Sequence, residues 1–140
     1  MSQQQKDLSS AFERIELAFN SQGDKSVYFD LYDRELTMHG FPPNVPANFE
    51  GLKSFYNSLW TAFPDSRVKF NDLVIQGDKA AVRFTFSGTQ KGEFMGISAT
   101  GKKVTVEGMR FFKFRGTKCV ETWNLLDNLS MLQQLGVIKA

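Results

Sequence analysis

Polar side chains with the potential for chemistry stand in the last predicted strand of the chain. Thr122 and Asn124 alternate with Glu121 and Trp123, so Thr122 and Asn124 share one face of that strand. An amide oxygen accepts hydrogen bonds but is too weak a base to remove a proton near neutral pH. Asn124 can therefore orient a carbonyl group or a water molecule, but it cannot act as a general base.

Two further residues could act on the same ligand. Arg110 lies in the preceding predicted strand and shares a face with Phe112, and we predict that Phe112 and Thr122 also contact the ligand. Its guanidinium stays charged and could hold a carboxylate or a developing enolate. His39 is the only histidine, and its ordinary pKa of about 6.5 makes it the best remaining candidate for a base. The alternatives are that Arg110 pairs with a carboxylate such as Glu107 of a partner subunit, and that His39 is structural.

Asp127 has a simpler interpretation. It directly precedes the apolar helical pattern of residues 129–135, where an Asp side chain accepts hydrogen bonds from free backbone amides. We predict that Asp127 or Asn128 caps this helix. His39 has no companion ligands at a suitable spacing, so we predict no metal site and no cofactor.

Composition limits the class of protein. The 140 residues fit one domain, residues 1–140, and Cys119 is the only cysteine, which excludes an intrachain disulfide. The net charge of +2 is spread along the chain, and no basic stripe indicates nucleic acid as a partner. No apolar run approaches the roughly 20 residues that span a bilayer, so no membrane is expected. The polar start does not resemble a signal peptide, which favours a cytoplasmic location.

The spacing of apolar residues predicts helices first and strands afterwards. Helices are predicted at 11–20, 27–32 and 52–63, with a strand at 36–39 and a proline-containing loop at 41–48. From residue 66 the period changes to two, and turns at 77–78 and 115–116 and a loop at 88–101 separate four strands. The predicted fold class is α+β, with helices packed on one face of a largely antiparallel sheet.

Aromatic residues supply candidates for the lining of a pocket. Tyr56, Trp60 and Phe63 lie on one face of the helix at 52–63, which predicts a core position from which one or two could reach a pocket. Phe94 and Met95 lie in the long loop. Exposed apolar residues there indicate either a lid over the pocket mouth or a contact between subunits.

Three local patterns are similar to those of one known family. They are Phe49-Glu50-Gly51-Leu52 with Ala62-Phe63-Pro64-Asp65, the loop GTQKGEFMGISATGKKV, and the closing segment WNLLDNLSMLQQLG. They cover most of the chain from Phe49 to Gly136. On them the chain is identified as a member of the SnoaL-like polyketide cyclase group of the nuclear transport factor 2-like superfamily. The resemblance implies a cone-shaped, curved sheet, mixed or antiparallel, whose concave face is closed by the helices around an apolar pocket.

The resemblance also implies a reaction from which this sequence departs. In cyclases of the group, an acidic side chain on the last strand removes a proton next to a carbonyl and a histidine on the preceding strand assists. An intramolecular aldol reaction then closes a ring. The His-Trp-Asp pattern of the last strand corresponds here to Thr122, Trp123 and Asn124, and the assisting histidine falls at Arg110. Members of the group often carry a histidine facing the pocket at the position of His39.

We therefore predict an apolar, carbonyl-containing small molecule as the ligand, with three hypotheses for function. In the first, a cyclase, isomerase or hydrolase uses His39 as its base, and Arg110 and Asn124 polarise the substrate. In the second, the same fold is a non-catalytic ligand-binding or dimeric scaffold protein. The third, activation of water as in limonene epoxide hydrolase, needs two inward carboxylates around Arg83 or Arg110, and the sequence offers no such pair. The first hypothesis requires His39, Arg110 and Asn124 to face one cavity.

The opposite face of the last strands is also apolar. Trp123 shares it with Phe111 and Met109 of the neighbouring strand. A sheet with two apolar faces has to be covered on both, and the predicted helices are too few to do so. We therefore predict a homodimer formed through the outer face of the sheet.

Overall fold

The computed structural model describes residues 2–139 and contains three α-helices, one 3₁₀ helix and five strands. In chain order they are α1 (Gln3–Phe19), the 3₁₀ helix (Ser26–Leu31), β1 (Tyr32–His39), α2 (Phe49–Ala62), β2 (Arg67–Gln76), β3 (Lys79–Thr89), β4 (Lys103–Arg115), β5 (Lys118–Leu126) and α3 (Asn128–Leu135). The α+β class and the order of elements predicted from the sequence are confirmed.

Helix α1 begins eight residues earlier than its apolar spacing predicted. The Ser2 side chain accepts a hydrogen bond from the Gln5 backbone N–H, and the Gln5 side chain accepts one from Ser2 N–H. This reciprocal pair is a capping box, which satisfies two otherwise free donors at the start of a helix. The apolar face of α1, including Phe12 and Phe19, is buried against the sheet and the 3₁₀ helix.

The five strands form one curved, unclosed sheet in the order β1-β5-β4-β3-β2. Strands β2 to β5 are antiparallel neighbours, as their short turns predicted. Strand β1 pairs with β5 in parallel, with His39 opposite Trp123. A parallel partner needs a long connection, and here the chain crosses through α2 and the three-stranded meander.

The two faces of the sheet differ in burial. In β4 every second residue, from Val104 through Phe114, is buried, and the residues between them are exposed. We call the buried side the inner face. Helix α1 packs against β2, α2 against β1 and α3 against β4. The other side, which carries Met109, Phe111 and Trp123, is called the outer face.

The ends of the later helices are defined by local signals. Helix α2 ends two residues before Pro64, because a proline lacks the N–H that a further helical turn requires. The Asp127 carboxylate accepts a hydrogen bond of 3.0 Å from the Ser130 backbone N–H and caps α3. The capping role predicted for Asp127 is confirmed. Helix α3 ends at Leu135, and Gly136, the residue that follows it, has a φ of 79°, in the left-handed region that favours glycine.

Candidate ligand-binding site

A cavity of about 270 Å³ lies between the inner face and the helices. Most of its lining is aromatic or aliphatic, and comes from α1, α2 and strands β2 to β4. Its polar lining residues are Tyr28, Tyr56, Arg110, Asn124 and Asn128. Its apolar lining residues are Ile15, Phe19, Gly40, Phe41, Pro42, Pro43, Phe55, Leu59, Val68, Phe70, Val82, Phe84, Phe86, Phe94, Met95, Phe112, Leu126 and Met131.

Arg110 is the central polar group of this cavity. It is only 6% exposed, and its Nη1 donates to the hydroxyl oxygens of Tyr32 at 2.8 Å, Tyr56 at 3.1 Å and Tyr28 at 3.3 Å. Its Nη2 donates to Thr122 Oγ1 at 2.8 Å. All three tyrosines of the chain are therefore gathered around one guanidinium. The ring of Phe112, a predicted lining residue, lies 4.5 Å from Arg110 Cζ and adds a cation–π contact.

The protonation state of this cluster follows from its burial. Burial raises the pKa of Tyr28 well above its ordinary value, and it also raises the pKa of Tyr32. Burial opposes the charge of Arg110, but the three tyrosines favour it, and the net direction of its pKa is upward. Tyr28 and Tyr32 are thus neutral phenols near pH 7, while Arg110 is a cation.

Asn124 lies directly opposite Arg110 in the β4–β5 register and lines the same cavity. The structure thus brings together two of the three residues for which the sequence predicted chemistry. Gly40 holds the end of β1 against this point. Its φ is 80°, and a Cβ at this position would lie 2.0 Å from the Asn124 backbone oxygen. Only glycine fits this approach, which leads the chain from β1 into the cavity wall.

The long loop and the segment after β1 both contribute residues to the cavity lining, Met95 and Phe94 from the loop and Phe41 from the segment. Phe94 and Ile97 exchange backbone hydrogen bonds of 3.0 and 2.9 Å, which makes a tight turn at the tip. Phe94 is buried, and its ring packs on Phe55 and Phe63. Met95 is 53% exposed, lines the cavity, and has a φ of 51°, which is uncommon for a residue other than glycine.

The prediction that His39 faces the pocket is wrong. Its side chain is on the outer face, 43% exposed, where Nε2 lies 2.8 Å from Glu121 Oε2 and the ring stacks on Trp123. The cause is strand parity, because Leu36 and Met38 point into the core and His39 must then point outward. Because its side chain points away from the cavity, the hypothesis that His39 is a base in the pocket is wrong.

Three other predicted pocket residues are close to the cavity without lining it. Trp60 packs between Phe19 and Phe29, Phe63 is fully buried in the core, and Thr122 receives the hydrogen bond from Arg110. Thr122 in turn donates to the backbone oxygen of Phe111 at 2.9 Å. These three side chains therefore pack behind the lining residues or bind to them, and do not face the cavity themselves.

Within the chain, Glu107 pairs with Arg83 and not with Arg110. Glu107 lies 3.3 Å from Arg83 on the outer face, and Arg83 also binds Asp72 at 2.7 Å. Arg110 forms no ion pair with any residue in 2–139. Arg83 is therefore excluded as a pocket group, and no carboxylate lines the cavity in the described part of the chain. Across residues 2–139, no three His, Cys, Asp or Glu side chains come together as metal ligands.

Several site residues were not predicted from the sequence. Tyr28 and Tyr32 bind Arg110 across 82 and 78 residues, and Phe41 and Asn128 also line the cavity. The spacing of four between Tyr28 and Tyr32 would have placed both on one side of a helix. That spacing was the available signal, but it does not identify Arg110 as the partner.

With the geometry established, comparison with known proteins identifies the family. The family model for SnoaL-like polyketide cyclases matches residues 11–135. The chain belongs to the SnoaL-like polyketide cyclase family, as the resemblance of its sequence patterns predicted. None of the curated proteins compared with the chain matches it.

Solved structures agree with this assignment. TsrD from Streptomyces laurentii is 26% identical, with a TM-score of 0.85 and 99% of each chain covered. IdmH from Streptomyces antibioticus, which is proposed to be a polyketide cyclase, is 30% identical, with a TM-score of 0.76 over 92% of this chain and 98% of its own. A SnoaL-like polyketide cyclase from Agrobacterium tumefaciens, at 23% identity and a TM-score of 0.72, covers 92% and 98% of the two chains and supports the fold alone. No helix within residues 2–139 is long and apolar enough to cross a membrane.

Proposed function

We propose that this protein binds an apolar small molecule in the inner-face cavity, with a carbonyl oxygen of the ligand directed at Arg110. The observation that carries the proposal is a buried guanidinium at one end of a cavity that is otherwise lined mainly by Phe and aliphatic side chains. Pockets of this composition bind apolar ligands and orient them through a few polar groups. Tyr28, Tyr56 and Asn124 are the other groups within the lining that can contact the ligand oxygen.

The size of the cavity limits the ligand. A volume of about 270 Å³ is just below the roughly 300–1,000 Å³ that is usual for ligand pockets. A bicyclic aromatic compound is of this size, whereas a larger polycycle requires the turn at Phe94 and Met95 to move. We propose that this turn is a lid, because Phe94 anchors it in the core while Met95 both lines the cavity and is 53% exposed to solvent.

A second candidate function is catalysis without a side-chain base. The family and the position of Arg110 favour it, because a guanidinium and phenol hydroxyls stabilise negative charge on a carbonyl oxygen as an enolate forms. No histidine or carboxylate lines the cavity within the described residues, so a water molecule would have to accept the proton that leaves the carbon. This requirement restricts the reaction to acidic carbons, such as one between two carbonyl groups. Binding without turnover is the function that the geometry supports best.

Calorimetric titration tests the binding proposal with a matched pair of ligands, 2-acetonaphthone and 2-ethylnaphthalene. The two have similar shapes, but only the ketone offers a carbonyl. We expect the ketone to bind about tenfold more tightly, since a hydrogen bond from a charged group contributes about 1.5–3 kcal/mol. Arg110→Met should remove this preference, and Arg83→Met, an arginine of the outer face, should keep it. Failure of both ligands to bind the parent protein would overturn the proposal.

Deuterium exchange distinguishes the two candidate functions. An aromatic 1,3-diketone that binds is incubated in D₂O, and NMR follows exchange at the carbon between the carbonyl groups. Catalysis by enolate stabilisation predicts faster exchange with the parent protein than with Arg110→Met. Binding without acceleration of exchange would retain the pocket and remove the enzyme candidate.

We also propose a homodimer formed through the outer face. Met109, Phe111, Trp123 and Leu125 are between 37% and 75% exposed there, and no element within residues 2–139 covers them. Large exposed apolar patches on a single chain indicate interaction surfaces. The cavity opens on the other side of the sheet, so dimerisation leaves ligand access unchanged.

A further inference from the structure

The positive charge at the end of the cavity has no counterion. Arg83 and Arg115 pair with carboxylates on the surface, but Arg110 is almost completely buried and its acceptors are neutral hydroxyl groups. Among the residues that the structure describes, none supplies a carboxylate to it. An unpaired charge is costly to keep away from water, and proteins normally place an opposite charge next to it.

The tyrosines cannot supply the missing negative charge. Burial raises the pKa of both Tyr28 and Tyr32, so these residues remain protonated near neutral pH. Their oxygens accept hydrogen bonds from Arg110, which leaves their own hydrogens free to be donated elsewhere. The Tyr32 O–H group donates to the hydroxyl oxygen of Tyr28 at 3.4 Å. Tyr28 and Tyr56 both line the cavity and have no acceptor of their own within the described residues.

The hydrogen-bonding capacity of this end of the cavity is therefore dominated by donors. Arg110 Nε is buried and its N–H has no acceptor. Two tyrosine O–H groups add to it; their oxygens already accept from Arg110, and the side-chain oxygen of Asn124 is a further acceptor. A neutral carbonyl oxygen would satisfy some of these donors but leave the charge unbalanced. An ionised oxygen would accept from the tyrosine O–H groups that line the cavity and balance the charge of Arg110 together.

We propose that the ligand of this cavity is an apolar organic acid, bound as its anion with the ionised oxygen at Arg110, Tyr28 and Tyr56. The proposal rests on the binding function proposed above and specifies its ligand class. The rings of the ligand lie against the phenylalanines of the lining, such as Phe84 and Phe86. An aromatic carboxylate and a phenolate both offer the required oxygen, and the experiment separates them.

The experiment compares three bicyclic ligands at pH 7.5 by calorimetric titration: 2-naphthoate, its neutral methyl ester, and 2-acetonaphthone. We expect the parent protein to bind 2-naphthoate at least about tenfold more tightly than either neutral compound, as a charge-assisted pair implies. Arg110→Met should reverse this order, so that the neutral compounds bind more tightly than the acid. Arg83→Met is the control and should behave as the parent does.

A second variant protects the test against misfolding of Arg110→Met. Asn124→Asp places a carboxylate opposite Arg110 in the β4–β5 register and provides the counterion internally. The preference for 2-naphthoate over the methyl ester should then disappear while the arginine remains. Circular dichroism of each variant confirms that the fold is kept.

A phenol identifies the source of the ionised oxygen. The absorption spectrum of 7-hydroxycoumarin differs between the phenol and the phenolate, so the ionisation of the bound compound can be titrated directly. A bound pKa at least one unit below the free value would identify phenolates as ligands. A bound pKa that stays unchanged, together with tight binding of 2-naphthoate, would restrict the class to carboxylates.

The outcomes separate this inference from the function on which it rests. If 2-acetonaphthone binds and 2-naphthoate binds no more tightly, the pocket function stands and the inference is wrong. If none of the compounds binds the parent protein, both are wrong. Retention of the acid preference by Arg110→Met would also overturn the inference, because the anion would then be held elsewhere.

Discussion

The inner and outer faces of the sheet carry different chemistry although their residues alternate along the same strands. On the inner face, Arg110 and Asn124 are register partners in an aromatic cavity, and the arginine has only neutral acceptors. On the outer face, Arg83 forms an ion pair with Asp72, His39 is hydrogen-bonded to Glu121, and all four are partly exposed to solvent. Ionic pairs are therefore complete where water is present and incomplete where it is excluded.

This difference indicates which face of the sheet is suited to ligand binding. A charge at the surface is solvated and screened, so its pairing indicates little about function. A charge that is buried without a counterion is costly to the folded protein, and ligand binding is a reason to retain it. The outer face, in contrast, has the apolar residues and completed ion pairs of an interaction surface.

The largest expected difference between the faces is in core stability. Phe112→Ala removes a fully buried ring that stacks on Phe114 and lies beneath Arg110, and should lower the free energy of unfolding by about 3–5 kcal/mol. In the monomer, at protein concentrations below the dimer dissociation constant, Leu125→Ala, on the outer face and 75% exposed, should change it by less than about 0.5 kcal/mol. Urea denaturation measures both. A cost above about 2 kcal/mol for Leu125→Ala would show that the side chain is covered by more than the described chain.

The second prediction concerns assembly through the outer face. Trp123→Glu places a charge in the centre of the proposed interface and should raise the dimer dissociation constant at least about 100-fold, roughly 2.7 kcal/mol. Sedimentation equilibrium measures the constant, and Leu17→Glu, an exposed change on α1, is the control. Affinity for 2-acetonaphthone should stay as in the parent. A parent protein that is monomeric at all concentrations would refute the proposed dimer.

A third change tests the point where the chain passes from one face to the other. Gly40→Ala places a methyl group against the Asn124 backbone oxygen at a positive φ, so it should cost at least about 2 kcal/mol. Gly116 also has a positive φ, of 63°, but open space surrounds its Cβ position, so Gly116→Ala should cost about 1 kcal/mol. Thermal unfolding measures the two. Equal costs would mean that the approach of Gly40 to Asn124 carries no strain.

The smallest effect is expected at His39. His39→Gln keeps a polar side chain on the outer face and should change the affinity for 2-naphthoate by less than about twofold, because the residue does not contact the cavity. Calorimetric titration at pH 6 and pH 8 is the measurement. If the affinity depended on His39, the residue would have to act on the ligand site, which would contradict its placement on the outer face.

The elements were predictable where their signal is periodic and local. The apolar spacing of α2 and the alternation in β3 and β4 are direct consequences of helix and strand geometry. The parallel pairing of β1 with β5 could not be predicted, because register between distant strands depends on the whole path of the chain. The apolar spacing alone leaves the start of α1 open, because the stretch between the Ser2 cap and Ala11 is mainly polar and has no apolar period.

The site was predictable only in part. The short turn at 115–116 makes β4 and β5 antiparallel neighbours, but Arg110 is opposite Asn124 only because the register shifts by one residue between Lys113 and Phe114, which the sequence did not indicate. His39 was misplaced because the family resemblance was given more weight than the parity of Leu36 and Met38, which already indicated an outward side chain. Tyr28 was missed because no local pattern links it with a residue 82 positions away.

Methionine methyl groups provide the most direct test of the central claim that the inner face, and not the outer face, binds the ligand. Met95 and Met131 line the cavity, while Met109 lies on the outer face and is 59% exposed. Protein with ¹³C-labelled methionine methyl groups is titrated with 2-naphthoate and followed by NMR. We predict that the Met95 and Met131 signals shift as the ligand binds and that the Met109 signal stays in place. A shift of Met109 alone would place binding on the outer face and contradict the account.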